Sequence, residues 1–318
     1  MTKVEIITSR EVPLGGPRSM TVHRTLPQRQ RSTIGAWCFV DHYGPDDVSA
    51  TGGMDVAPHP HTGLQTVSWL FQGEITHHDS ADNHAVVKPG EANFMTAGSG
   101  ICHSEVSTQD TTTLHGVQLW VALPNDARGT NPGFDHYKPK AVQLDGGHAL
   151  VFIGELFDST SPVRMFTPLV GAEIHIKPGA TITIEVDPKF EHGFLLDTGE
   201  LTVGGTTVKR TELAYTGVGE NTIKLHNPGT EESRLVLIGG EPLTEDLVMW
   251  WNFIGRSTEE IAQFRKEWEE ESDRFGNVHG YISRNPEGPS RLPAPTMPRI
   301  TLKPRQNPEP IARPDVRF

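Results

Sequence analysis

Cysteine is scarce. Cys38 and Cys102 are the two in 318 residues, too few for a disulfide framework or a thiolate-built structural zinc site, and in keeping with a reducing compartment. Basic charge is also in deficit: 28 Lys+Arg stand against 40 Asp+Glu, a formal net charge of -12. That balance, with no DNA-reading motif, argues against direct nucleic-acid binding and against attraction to an anionic membrane. No apolar run approaches the ~20 residues that cross a bilayer. The opening Met1-Thr2-Lys3-Val4-Glu5 lacks the apolar core of a secretory leader. These absences lead to the expectation of a cytoplasmic chain without membrane or nucleic-acid partners.

Glycine (32) and proline (25) are abundant and scattered, a punctuation that suits many short strands. Apolar residues alternate with polar ones in Ala180-Thr181-Ile182-Thr183-Ile184-Glu185-Val186. Leu201-Thr202-Val203 and Thr206-Thr207-Val208 flank Gly204-Gly205, a two-residue hairpin connection. Comparable runs occur at Thr66 to Phe71, His115 to Leu123, Ala149 to Ile153 and Arg234 to Ile238. The predicted fold class is all-β.

One helix is predicted late in the chain, over 257–272. There Ser257-Thr258-Glu259-Glu260 reads as a capping box and Ile261, Phe264 and Trp268 share a face. Glu269, Glu270 and Glu271 oppose the helix dipole, so its last turn is expected to be solvated or frayed. Beyond it, residues 273–318 form a Pro-rich tail, locally basic on an acidic protein, which is either loose or draped over a protein surface. The predicted organisation is a first β-domain over 1–130, whose first strands are free to pair with the second barrel, a linker over 131–147 and a second β-domain over 148–256.

Seven of the fifteen histidines lie between His59 and His115. On a strand, His59-Pro60-His61 places two imidazoles on one face, and His103-Ser104-Glu105 repeats that spacing with one imidazole and one carboxylate. Three neutral nitrogens and one oxygen suit a first-row transition ion such as Fe(II), Mn, Ni or Cu. His77 and His78 are expected in an exposed loop, and His115 in the core or at its rim. Cys102 points away from the ligand face, and Cys38 belongs to the core. Phe39, Trp69, Phe94, Met95 and Gln118 are candidates for an apolar pocket over the ion. His175, His192 and His226 stand singly, so the second domain is expected to be metal-free.

The stretch from Gly53 through His59-Pro60-His61, with five residues between the glycine and the pair, opens like the first cupin motif. With Thr62-Gly63-Leu64-Gln65, Pro89-Gly90 and Met95 through Gly98-Ser99-Gly100 to His103-Ser104-Glu105, it resembles the pirin family of bicupins, from about Arg24 to Gly240. The resemblance implies two tandem jelly-roll barrels and one mononuclear metal in the first. That metal is usually iron, with Mn, Ni, Cu or Zn as alternatives. The family's ligand positions fall on His59, His61, His103 and Glu105. Gln65 replaces a carboxylate ligand of many cupins, but pirins draw theirs from the second motif. The resemblance further implies a dioxygenase of quercetinase type that cleaves a flavonol or related enolisable polyphenol with O2, Glu105 accepting the substrate proton. The other reading is a non-enzymatic, iron-containing regulator that binds a partner protein according to redox state; a third is Lewis-acid isomerase or lyase chemistry.

Overall fold

Period-two alternation becomes visible wherever one strand face meets water. Thr181–Glu185 buries Ile182 and Ile184 and exposes the residues between them. Gly204 and Gly205 adopt φ of +56° and +86° and close the hairpin that pairs Val203 with Thr206. The computed structural model describes residues 2–14, 20–284, 287–304 and 307. It contains two jelly-roll barrels in tandem, as expected. In the first, a seven-stranded sheet (Gly133–Tyr137, Ala92–Thr96, Leu64–Gln72, Thr113–Ala122, Trp37–Asp47, Thr21–Leu26, Arg10–Pro13) faces a four-stranded one (Asp55–His61, Ile101–Ser107, Ile75–Asp79, His84–Val87). The second barrel repeats the plan with seven strands against four.

The two seven-stranded sheets pack on each other through a shared apolar layer. Trp37, Val67, Trp69, Phe94 and Val117 of the first meet Phe152, Leu195 and Val236 of the second. Trp37 and Phe152 touch edge to face, and the Trp37 indole donates to the Gly239 carbonyl at 3.0 Å. Strand Val4–Ile7 pairs with Leu213–Thr216 of the second barrel, whereas Arg10–Pro13 joins the first, so the start of the chain ties both together. At this junction Gly35, at φ +52°, lies so close to Gly240 that a Cβ would come within 2.8 Å of its Cα.

The stretch 131–147 carries strands as well as turns. Gly133–Tyr137 adds an edge to the first large sheet and Val142–Leu144 to the second. Pro132 and Pro139 flank these edge strands without interrupting them. The helix runs Thr258–Glu269. The Ser257 hydroxyl accepts from Glu260 N at 3.1 Å, and Ile261, Phe264 and Trp268 are buried. Its last turn is solvated, with Glu269, Glu270 and Glu271 exposed, and it is not frayed: Glu270 N bonds Lys266 O, and the Glu269 carboxylate accepts from Ala294 N at 2.8 Å.

That last contact belongs to the tail, whose described residues, 273–284, 287–304 and 307, lie against the chain's own body, while the rest of 273–318 lies outside the described residues. Asp55 accepts from the Tyr281 hydroxyl at 2.8 Å and from Arg284 N at 2.9 Å. Leu292 N donates to Pro58 O at 2.8 Å, and Leu292 O accepts from the Trp268 indole at 2.8 Å. Prolines deny this segment a ladder, and side-chain anchors hold it instead.

Candidate metal centre

Strand Asp55–His61 lies antiparallel to Ile101–Ser107, with His59 directly opposite His103 and a bulge between His103 and Glu105. His59, His61 and His103 are all buried, and their ligand nitrogens lie within 4.8 Å of one another. Nε2 of His61 is 3.1 Å from Nε2 of His103. Two nitrogens bound at right angles to one ion, each at about 2.1 Å, lie about 3.0 Å apart. Main-chain carbonyls fix the ring orientation: Ala57 O accepts from His59 Nδ1 at 2.9 Å and Asn252 O from His61 Nδ1 at 3.2 Å, so both Nε2 lone pairs face inward. Burial pushes the His59 pKa down to about 4 and holds His61 and His103 well below the ordinary imidazole value. The trio is therefore neutral at neutral pH, the form that binds metal.

Glu105, the fourth expected ligand, lines the same cavity beside His103. Its carboxylate groups with His77 and His103 within 4.8 Å, and the Ser68 hydroxyl lies 3.2 Å from its Oε1 and 3.0 Å from Gln118 Oε1. Burial pushes the Glu105 carboxyl up. His77 corrects the loop expectation: it sits in strand Ile75–Asp79 opposite Glu105, buried, with its Nδ1 3.3 Å from His103 Nδ1 and its Nε2 3.2 Å from Asp79 Oδ2. The Asn83 side chain and Ala81 N hold that carboxylate in turn. His78 takes the other face of the strand and packs against His84. Strand alternation through Ile75-Thr76-His77 was the available signal.

A cavity of about 530 Å³ opens over the histidines. Phe39 and Gln118 line it; Trp69, Phe94 and Met95 do not. Trp69 and Phe94 point into the layer between the barrels, and Met95 is sealed in a core cluster with Leu64 and Ile101. Sequence reasoning missed Trp120, stacked on Phe39 at 4.1 Å, and Trp251, which reaches the rim from beyond the second barrel. It also missed Arg24, bidentate to Asp41 at 2.7 Å and lying over the Phe39 ring, and Leu292 of the tail.

Elsewhere, the Cys102 thiol faces Gly276 O, away from the histidines, and burial pushes it up to about 11; Cys38 is buried in the core. His115 is buried between the barrels, where Asp197 Oδ1 accepts from His42 at 2.7 Å and from His115 at 2.6 Å, and Oδ2 accepts from Arg234 at 2.6 Å. His192 is buried, and His226 bonds Thr181 and the Ala180 carbonyl. His175 is not single, because its cross-strand partner is His148. Among the described residues no helix is long and apolar enough to cross a membrane.

Residues 19–121 match the pirin family and 171–276 match the pirin C-terminal cupin domain. A Pseudomonas aeruginosa protein whose name assigns it provisionally as a quercetin 2,3-dioxygenase is 43% identical over 294 residues, covering 92% of this chain and 90% of its own. Human pirin is 30% identical over 212 residues, covering 64% and 73%. The crystal structure of a quercetin 2,3-dioxygenase from Acinetobacter baumannii superposes with a TM-score of 0.89 at 35% identity, covering 96% and 98%. With its histidine-lined first barrel packed on a second barrel of the same plan, this chain belongs to the pirin family.

Proposed function

We propose that the protein is a metal-dependent dioxygenase of quercetinase type, converting a flavonol or related enolisable polyphenol and O2 into a ring-opened ester and carbon monoxide. The observation that carries this reading is the set of three buried, neutral histidines aimed into an aromatic-walled cavity that Glu105 also lines. His59, His61, His103 and Glu105 would hold the ion, with Fe(II) the first choice and Mn, Ni, Cu or Zn as alternatives. The bound ion supplies the Lewis acidity that acidifies a substrate hydroxyl and the electronic access that O2 chemistry needs.

The chain's own side chains do the rest. Phe39 and Trp120, ring on ring, offer a flat wall for a planar substrate. Trp251 and Leu292 narrow the mouth and exclude water from the reacting ring. Glu105 accepts the substrate hydroxyl proton at its carboxylate, and the Ser68 hydroxyl at 3.2 Å holds that side chain in place. A carboxyl raised by burial is a better match to a phenolic proton than an ordinary one. The two free, buried thiols suit a reducing interior, and we place the protein in the cytoplasm. Oxygen consumption with quercetin as substrate tests the reading. Turnover without oxygen would favour isomerase or lyase chemistry, and bound metal without turnover would favour the regulatory reading.

A further inference from the structure

The second barrel has a cavity of its own. It measures about 720 Å³ and opens where the starts of Leu169–Ile176 and Glu191–Thr198 meet Thr181–Glu185, the edge strand of the four-stranded sheet, and the hairpin over 155–160. A space of this size at the mouth of a β-barrel suits a small organic molecule. Its walls carry four carboxylates, from Glu155, Asp158, Glu185 and Asp187, and among the described residues no lysine or arginine. These acids do not converge: among the described residues no three of them lie within 4.8 Å of one another. Such spacing fits a bulky cation spread across the cavity, not a metal ion that draws its oxygens to roughly 2.0–2.6 Å.

The inner end is polar and unsatisfied. His192 lines the cavity at 2% exposure, and its Nδ1 is buried without a hydrogen-bond partner. Thr216, directly across the ladder from it, is wholly buried, and its hydroxyl lacks a partner as well. Buried polar groups are nearly always paired, so two neighbours without partners mark a place where a ligand makes bonds. Burial pushes the His192 pKa down to about 4, which keeps the ring neutral with a lone pair to offer, and the Asp187 carboxylate is near enough for its charge to oppose that shift.

The outer wall is aromatic. Phe190 lies 6.2 Å from the His192 ring, centroid to centroid. Phe157 and Asp158 are the two turn residues of the hairpin that pairs Leu156 with Ser159, at φ of +52° and +55°. Asn-Gly meets that demand without strain, whereas a phenylalanine there is an outlier that the turn itself does not explain. The strain sets its half-buried ring against the cavity.

The geometry points to a second binding site, on the C-terminal barrel, for a small organic ammonium ion with an apolar or aromatic body: the ammonium between Asp187 and His192, the body against Phe157 and Phe190. Carboxylates and the faces of aromatic rings both select a cation. The site is independent of the His59–His61–His103 centre and of the reaction proposed there.

The test is calorimetric titration of metal-loaded full-length protein with 2-phenylethylammonium, beside 3-phenylpropionate as an anion of similar shape. The amine is expected to bind saturably with a Kd of about 1 mM or below, and the anion at least about tenfold more weakly. Asp187→Asn, which keeps an acceptor for Lys189 N, and His192→Phe are each expected to weaken the amine by about tenfold. His61→Ala leaves it unchanged. Phe157→Asn is expected to weaken the amine while thermal stability holds or rises, a combination that a merely structural turn residue would not give. The exposed Glu185→Gln, expected to weaken binding several-fold, keeps the test informative if His192→Phe misfolds. Equal affinity for the anion, no saturable binding of the amine, or binding lost in His61→Ala and kept in Asp187→Asn overturns the proposal.

Discussion

His103 and His77 meet through their Nδ1 atoms at 3.3 Å, on the side of the His103 ring turned away from His61. His77 in turn bonds Asp79, so a histidine–carboxylate pair stands behind the histidine that completes the centre. Such outer partners set ligand orientation and basicity. His77→Phe is expected to lower metal affinity by about 10–100-fold, with secondary structure unchanged. Asp79→Asn should act in the same direction and more weakly. Competition titration against a chromophoric chelator, with circular dichroism on the same samples, measures both.

Glu105 lies beside His103 and is proposed both as a ligand and as the base, so removal of its charge tests whether metal binding and turnover separate. Glu105→Gln is expected to keep its metal within a factor of about ten and to lose activity by about 10²–10⁴-fold, the usual worth of a general base. Metal content and oxygen uptake on one preparation decide the matter. Full activity in that variant would remove Glu105 from the proton step.

Asp197 joins the barrels by accepting from His42, His115 and Arg234. Burial alone would raise its pKa, but the hydrogen bonds from His115 and His42 hold it well below 3.8. The unfolded chain therefore binds the proton first. The stabilisation is complete above about pH 4 and lost as pH falls through the lower folded value. Asp197→Ala leaves the buried His42 and His115 and the partly exposed Arg234 without their shared acceptor and is expected to cost about 1–3 kcal/mol, read by urea unfolding at pH 7. The deficit relative to wild type should shrink in strongly acidic buffer.

His192 is buried, and burial pushes its pKa from 6.5 to about 4. Between those values the unfolded chain carries the extra proton, so stability falls as pH drops from 6.5 toward 4, by roughly 3 kcal/mol at the low end. His192→Gln removes that share. Its stability curve over this range should be shallower by about one proton in the metal-free protein, as measured by chemical unfolding at several pH values.

Alternation and the His-x-His spacing made the strands, the helix cap and the histidine trio legible, because those features are local. Which residues face the cavity was not legible where a sheet is covered on both sides. On Thr113–Ala122 nearly every residue is buried, yet Gln118 and Trp120 face the cavity while Val117 and Leu119 face the other barrel. Trp69 and Phe94 were misplaced for that reason. His77 was read as loop because the polar run His77-His78-Asp79-Ser80 resembles a turn, whereas His77 is buried opposite Glu105. His148 and His175 are neighbours only through strand register, which a sequence does not display. The tail's course rests on single anchors such as Tyr281 to Asp55, with no periodic pattern to announce it.

The central claim is a mononuclear centre in the first barrel that activates O2 toward a polyphenol. It is tested most directly by oxygen uptake with quercetin on iron-loaded protein of known metal content, run beside His61→Ala. The account predicts uptake in the wild type and its loss, with one metal fewer per chain, in the variant. Uptake that persists in His61→Ala, or its absence from fully loaded wild type, would contradict it.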